Sequence, residues 1–326
     1  MKKIIHHYGA DLEWVDSLAE KFEGKIDGNF IIVPEHIHTG HRYYLDCGMG
    51  IVALYIDVMY HTEIELTMKN KNKDFIGLYY NLSEGNSKLT LDSVSKDMGI
   101  LSYNLSVFDS ALEFQYNVKA GTKTFILCIF IKKEIMNSFT QKDIALQQRI
   151  DQISYQTKNT LIDWGRMSNQ SEQAIIDLRK LKVGGTQFDL NLIGTVYLLI
   201  SDYLRKISDK DILIQLSNQP DLPIIISIQK FLMENLKNHF PGNKTIALKF
   251  NISVSKFKVL FKKITGQTAN DYFMENKLIK AKELLEKKEL SVEEVSKQFN
   301  FTDQSYFALK FKKYFGLAPK KYIKQL

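Results

Sequence analysis

A repeat near the C-terminal end constrains this 326-residue chain more than any other feature. Residues 257–272 read FKVLFKKITGQTANDY, and residues 307–322 read FALKFKKYFGLAPKKY. At an offset of 50, six of sixteen positions are identical: Phe257/Phe307, Phe261/Phe311, Lys262/Lys312, Lys263/Lys313, Gly266/Gly316 and Tyr272/Tyr322. Two copies at fixed spacing mean one supersecondary unit used twice. Any fold for this region must therefore contain the same short element in two places.

The second copy reads as a helix with punctuation at both ends. Phe307, Phe311 and Phe315 recur at i, i+4 and i+8, which makes one apolar stripe. Lys312 and Lys313 fall in the last turn, where cations suit the helix dipole, and Gly316 stops the helix. Pro319 sits at the first position of a closing helix, and Thr268-Ala269-Asn270-Asp271 opens the closing helix of the first copy with a capping-box pattern. Upstream of the second stripe, Ser291-Val292-Glu293-Glu294 is another capping box, with Val292, Val295 and Phe299 as its apolar face. Asn300-Phe301-Thr302-Asp303 is then a tight connection with Thr302 or Asp303 as the next N-cap. In the first copy, Thr245 to Phe250 is the short helix and Ser253 caps the following one. Short helix, tight turn and capped second helix is the helix-turn-helix plan, here expected over about 243–266 and 291–316. In that plan the second helix enters the major groove of DNA.

Charge agrees with a polyanionic partner. Residues 221–326 hold twenty lysines, no arginine and ten acidic residues, whereas the rest of the chain is slightly acidic. The whole excess of +7 is thus carried by the last third.

With these residues in hand, residues 221–326 resemble the DNA-binding domain of the AraC/XylS family of bacterial regulators. The resemblance rests on Ser291–Val295, on Phe301-Thr302-Asp303-Gln304-Ser305-Tyr306-Phe307, on Phe311-Lys312-Lys313-Tyr314-Phe315-Gly316 with Pro319 and Tyr322, and on the linking stretch Lys277–Leu285. It implies an all-α domain of seven helices whose two recognition helices enter successive major-groove segments. By position it implies DNA contacts from Ser253, Ser255, Lys256, Lys258 and Val259 in the first copy. In the second it implies Gln304, Ser305, Ala308 and Leu309, with Lys262, Lys263, Lys312 and Lys313 on phosphates. It also implies a bacterial transcription regulator, RNA polymerase as a partner and a possible homodimer. Many relatives carry arginine where Val259 and Leu309 stand. Arginine on guanine is the commonest specific base contact, so its absence points to an A·T-rich operator.

The first two thirds read differently. A polar, proline-punctuated run, Ser217–Pro223, marks a linker. Short strand-type runs at Gly50–Met68, Asp74–Leu82, Lys88–Val94, Leu112–Val118 and Thr122–Ile131 suggest a β-sandwich or small barrel. From about 139 to 209 apolar residues take helical spacing: Ile150, Ile153, Leu161 and Trp164, then Ile193, Val196, Ile200 and Leu204, with Gly184-Gly185 between. The expected fold is α+β and multidomain. It has a β-rich, barrel or cupin-like sensing domain over 1–138, a helical linker and dimerisation region over 139–218, and the DNA-binding domain over 219–326. Family members commonly have this order, and a barrel is a shape that encloses a small-molecule effector. Cys47 and Cys128 offer neither a disulfide framework nor metal-ligand spacing. Neither a signal peptide nor a run near the ~18 apolar residues of a membrane span is visible, so a cytoplasmic protein without membrane association is expected.

One motif suggests chemistry. Pro34–His41 contains H-x-H, which puts His36 and His38 on one strand face, with His41 or Glu35 as further ligands for zinc or iron. The later glutamate and histidine of metal-dependent cupins are not at their spacing, so no metal, no cofactor and no enzyme activity are expected. Gly48-Met49-Gly50-Ile51-Val52-Ala53 matches a dinucleotide fingerprint but opens a β-branched run, and reads as a turn into a strand. The pairs Tyr43-Tyr44 and Tyr79-Tyr80 read as barrel wall. The leading reading is a ligand-responsive regulator. The alternatives are a metal-dependent cupin-type enzyme fused to a DNA-binding domain, separable by metal analysis, and a regulator controlled by a protein partner.

Overall fold

The computed structural model describes residues 1–85, 87–91, 94–100, 102–144, 146–148, 150, 162–165, 167–208, 222–265 and 267–324. The chain forms two compact units, Met1–Gln219 and Pro220–Leu326.

In the first unit the strands are β1 (Lys2–His6), β2 (Lys25–Asp27), β3 (Phe30–Ile32), β4 (His38–Asp46), β5 (Ile51–Tyr60), β6 (Ile64–Met68) and β7 (Phe75–Asn81). They continue with β8 (Ser87–Leu91), β9 (Val94–Met98), β10 (Leu105–Asp109), β11 (Phe114–Val118), β12 (Lys123–Lys132) and β13 (Ile162–Gly165). They make two sheets, ordered β13-β10-β7-β12-β5-β4-β3-β2 and β1-β6-β11-β8-β9. All ladders are antiparallel except β1 with β6. The helices are α1 (Val15–Lys21), α2 (Lys133–Thr140), α3 (Asn169–Arg179) and α4 (Thr186–Ser208).

The expected closed barrel is not what these strands form: each sheet is open, with unpaired outer strands among the described residues. The reason lies in the central strands. β5 and β12 are buried along almost their whole length, so neither face is left for water. One face of the larger sheet is covered by helices. Phe188 of α4 packs edge-on against Tyr43 and Tyr55, with centroids at 5.3 and 5.4 Å. The Tyr43 hydroxyl donates to Asp189 at 2.6 Å, and the Tyr80 hydroxyl donates to the Leu199 carbonyl at 3.0 Å. Arg179 of α3 makes a two-pronged ion pair with Asp57, at 2.9 and 3.0 Å. The other face meets the smaller sheet, where Phe114 lies 4.8 Å from Phe108 and Asn81 donates to the Tyr116 hydroxyl at 3.0 Å.

Three local readings need correction or refinement. Trp164, expected on a helix, lies in β13, which pairs with β10 from Leu105↔Gly165 to Phe108↔Ile162. Ile153 and Leu161 fall outside the described residues. Met49 sits at φ 55° between Gly48 and Gly50 in the β4–β5 turn, so the glycine pair opens a strand and no nucleotide-binding helix. Gly184, at φ 87°, marks a close approach: an added Cβ would lie 2.8 Å from the Phe30 ring.

The second unit contains seven helices among the described residues: α5 (Leu222–Glu234), α6 (Asn243–Lys249), α7 (Val254–Thr265), α8 (Ala269–Glu286), α9 (Val292–Gln298), α10 (Gln304–Phe315) and α11 (Pro319–Ile323). Its core is one apolar cluster. Phe257, Phe261, Phe307 and Phe311 are all fully buried in it, together with Ile225, Leu285 and Val295. The four phenylalanines are two of the repeated pairs, so the repeat is first a repeat of core contacts. None of the described helices of the chain is long and apolar enough to cross a membrane.

Candidate nucleic-acid interface

Both helix-turn-helix turns are built the same way. Phe250 and Phe299 close the short helices, and the next residues, Asn251 and Asn300, take left-handed φ values of 53° and 52°. Asparagine tolerates that region better than other non-glycine residues. One residue further on, the Ile252 amide donates to the Ala247 carbonyl and the Phe301 amide to the Ser296 carbonyl, each at 3.0 Å. This is the six-to-one bond that terminates helices through a left-handed residue. The second turn is one residue longer: Ser253 follows Ile252 directly as N-cap, whereas Thr302 stands between Phe301 and Asp303.

The recognition helices are then capped. Ser253 Oγ accepts from the Lys256 amide at 3.1 Å, and Asp303 Oδ1 accepts from the Tyr306 amide at 2.7 Å. Asp303, rather than Thr302, is the second N-cap. Ser291 and Glu294 form the complete reciprocal box before α9. At Thr268 the box is half made: its hydroxyl accepts from the Asp271 amide at 3.2 Å, but the Asp271 carboxylate takes the Thr268 hydroxyl instead of a backbone amide. Gly316 ends α10 at φ 80°, and Pro319 begins α11.

With the phenylalanines turned inward, the opposite faces of α7 and α10 look outward. Ser253, Ser255, Lys256, Lys258, Val259 and Lys262 are exposed in the first copy. In the second, Ser305, Leu309, Lys312 and Lys313 are exposed, and Gln304 and Ala308 are half-buried. Val259 and Leu309, fifty residues apart, are 66% and 65% exposed. Single exposed aliphatic residues are ordinary on a protein surface, and Leu248 is more open still at 84%, so it is the matched position on the two helices that sets Val259 and Leu309 apart. Neither helix carries an acidic residue, and Lys258, Lys262, Lys312 and Lys313 form no ion pair among the described residues. The Lys263 side chain lies outside the described residues.

Sequence reasoning missed part of this surface. Lys258 and Lys262 border a cleft of about 320 Å³ whose far wall is Thr268, Ala269 and Asn270, the first turn of α8. Two lysines beside a helix start make a cationic concavity, in which the Asp271 amide is already taken by the Thr268 hydroxyl. Its signal, a helix end folded back beside its predecessor, is absent from any local pattern. Lys320 and Lys321, exposed on the five-residue α11, add charge nearby in sequence. Inside, Lys277 of α8 is buried and donates to the Asn238 carbonyl at 2.8 Å. It lies 5.3 Å from the Phe273 ring and 5.0 Å from the Phe301 ring, and burial lowers its ammonium to about 8.

The H-x-H histidines are not brought together. His36 is in a turn, exposed and 3.5 Å from Glu23; His38 opens β4 and is buried; His41 is exposed on the opposite strand face. Among the described residues no cluster of three metal-ligating side chains occurs.

The second unit is thus a helix-turn-helix domain with two reading units. A family profile described as "Helix-turn-helix domain" matches residues 246–325. The chain is 31% identical over 101 residues, 30% of its length, to the probable transcription factor PqrA of Proteus vulgaris, and spans 82% of that protein. It is 26% identical over 138 residues, 42% of its length, to the Msm operon regulatory protein of Streptococcus mutans, and spans about half (49%) of that relative. Among solved structures, the C-terminal domain of the two-component response regulator yesN from Fusobacterium nucleatum matches at 33% identity, covering 30% of this chain and 94% of that one, with a TM-score of 0.29. Through this domain the chain belongs to the AraC-type family of helix-turn-helix transcription regulators.

Proposed function

We propose that the protein is a sequence-specific DNA-binding transcription regulator that lays α7 and α10 in successive major-groove segments of one duplex. The observation that carries this reading is the matched pair of outward stripes. Each has an open aliphatic residue, Val259 or Leu309, and lysines without acidic neighbours on the helix. Val259 and Leu309 contact thymine methyl groups, Gln304 reads adenine, and Ser253, Ser255, Ser305 and Ala308 line the same groove faces. Lys256 and Lys258 stand beside them, and Lys262, Lys263, Lys312 and Lys313 hold phosphates as point charges. The operator is accordingly A·T-rich.

Selection of duplexes from a random pool by the full chain tests this. The expected consensus is A·T-rich, and the expected salt slope corresponds to about 0.9 per phosphate-bound lysine. A G·C-rich consensus overturns the A·T-rich operator, and affinity indifferent to salt between about 50 and 200 mM overturns the docking. The first unit is the sensing part: a small molecule bound there changes operator affinity, and the operator must change ligand affinity by the same factor. A homodimer and contact with RNA polymerase complete the proposed assembly.

A further inference from the structure

Glu275 of α8 holds one residue from each helix-turn-helix copy. Its Oε2 accepts from the Gln267 side-chain amide at 2.8 Å, and its Oε1 accepts from the Tyr314 hydroxyl. Gln267 lies just past α7 and is tied to its last turn: the Thr265 hydroxyl donates to the Phe261 carbonyl at 2.7 Å and accepts from the Gln267 backbone amide at 3.4 Å. Tyr314 stands in the last turn of α10. Both recognition helices thus end on one carboxylate, through charge-assisted bonds. Burial, and then the hydrogen bond to Glu275 and its charge, raise the Tyr314 phenol above its ordinary value, so it stays a donor through the neutral range.

This bridge is not part of the repeat. At the offset of 50, Tyr314 answers to Ile264 and Gln267 to Leu317, and neither aliphatic side chain can make it. Core contacts are needed in each copy, whereas a tie between the copies is needed once. The apolar core holds both copies against α8, but apolar contact is non-directional and leaves freedom to slide. Beside the bridge, moreover, α8 and α10 do not close up. A cleft of about 270 Å³ lies between them, with Met274 and Leu278 from α8 and Lys310 and Lys313 from α10 in its walls. Close packing cannot set position across open space, whereas hydrogen bonds of defined length and angle can. Lys313 is among the proposed phosphate contacts, so a shift here moves the reading face.

We propose that Glu275, with Gln267 and Tyr314, is a positioning residue that sets the separation and angle of α7 and α10, and with them the one spacing of half-sites that the chain accepts. This rests on the reading that both helices enter one duplex, and names the side chains that fix the distance between them.

Two measurements on the full chain test it, one with DNA and one without. One base pair inserted or deleted between the half-sites of a selected duplex moves them by about 3.4 Å along the axis and about 35° around it. The parent is expected to bind such duplexes at least about tenfold more weakly, and Tyr314→Phe and Glu275→Ala to cut that penalty to about threefold or less. The penalty is a ratio of two affinities of one protein, so the charge lost with Glu275 cancels. Glu275→Gln still accepts from Tyr314 and can donate to a turned-over Gln267 amide, and is expected to restore most of the penalty. Tyr314 is 42% exposed, so Tyr314→Phe should unfold in urea near the parent midpoint. A merely structural role would move that midpoint and leave the ratio alone. Without DNA, spin labels on Ser255→Cys and Ser305→Cys, exposed on α7 and α10, report the helix separation, and both native cysteines are buried. The distance distribution is expected to broaden or shift in both bridge variants. An unchanged penalty or an unchanged distribution in both overturns the proposal, as does a parent that binds all spacings equally. If Glu275→Ala does not fold, Gln267→Leu takes its place beside Tyr314→Phe. A chain that binds no duplex sinks the regulator reading, and the label distances then decide the bridge alone.

Discussion

The two helix-turn-helix copies share a turn and a core but differ in how their helices are held at the ends. α6 starts from Gly242, at φ 84°, with no side-chain cap, while α9 starts from the reciprocal Ser291–Glu294 box. α7 is capped by a serine and α10 by the carboxylate of Asp303, a charge-assisted cap. The second copy therefore carries much of its order locally. The first takes more of its order from packing against α5 and α8, through Ile225, Leu232, Phe257 and Phe261. The same buried phenylalanines on unequally self-sufficient supports teach that the repeat preserves the core and the paired lysines and lets both the helix ends and most outward residues diverge.

The largest expected effect tests the shared part. Phe261→Ala and Phe311→Ala should each cost about 3–5 kcal/mol by urea unfolding, since both rings are fully buried. A clearly smaller loss at Phe261 would show the first copy to be the looser one in its core as well. Next, Lys312→Ala with Lys313→Ala should lower the salt slope of DNA binding by about 1.8 and weaken binding roughly tenfold. The same treatment of Lys262 and Lys263, their counterparts in the first copy, should match it if both copies dock. A full slope retained in one double variant would mean that copy does not touch phosphate.

Lys277 sharpens the comparison from inside, because it touches the Phe301 turn of the second copy and the Asn238 carbonyl ahead of the first. Its folded-state value of about 8 lies below its ordinary 10.5, so the unfolded chain binds the proton more readily. The penalty is complete below pH 8 and fades as pH rises towards 10.5. Lys277→Met is thus expected to stabilise this unit by about 1 kcal/mol at neutral pH, after loss of the hydrogen bond and ring contacts, with no gain above pH 10.5. Unfolding midpoints across that range check the sign. The smallest effects concern the caps. Ser291→Ala should cost about 1 kcal/mol and Ser253→Ala about half that, read from the same curves. Equal values would remove the difference in local support.

How much could be read from sequence depends on the range of the interactions. The phenylalanine stripes, Gly316, Pro319, Ser253 and the Ser291–Glu294 box all act within about four residues, and the second unit was legible down to its caps. Even there the half-made box at Thr268 escaped, because Asp271 has two possible targets that the pattern cannot tell apart. In the first unit β5 and β12 announced themselves by continuous apolar runs. β1 did not, because it finds its parallel partner β6 about sixty residues away. Trp164 kept helical spacing with its neighbours yet joined β10. Barrel closure depends on which strands remain unpaired, and Tyr314 looks like any surface tyrosine until its partner Glu275 is known.

The helices laid over the larger sheet make the covalent link between them partly redundant. Phe188 wedged between Tyr43 and Tyr55, the Tyr80 hydroxyl on the Leu199 carbonyl, the Arg179 fork on Asp57 and the β10–β13 ladder all join the part of this unit before residue 151 to the part after residue 161. A chain severed between those positions would hold together as one particle, and the two fragments, produced apart, would find each other again.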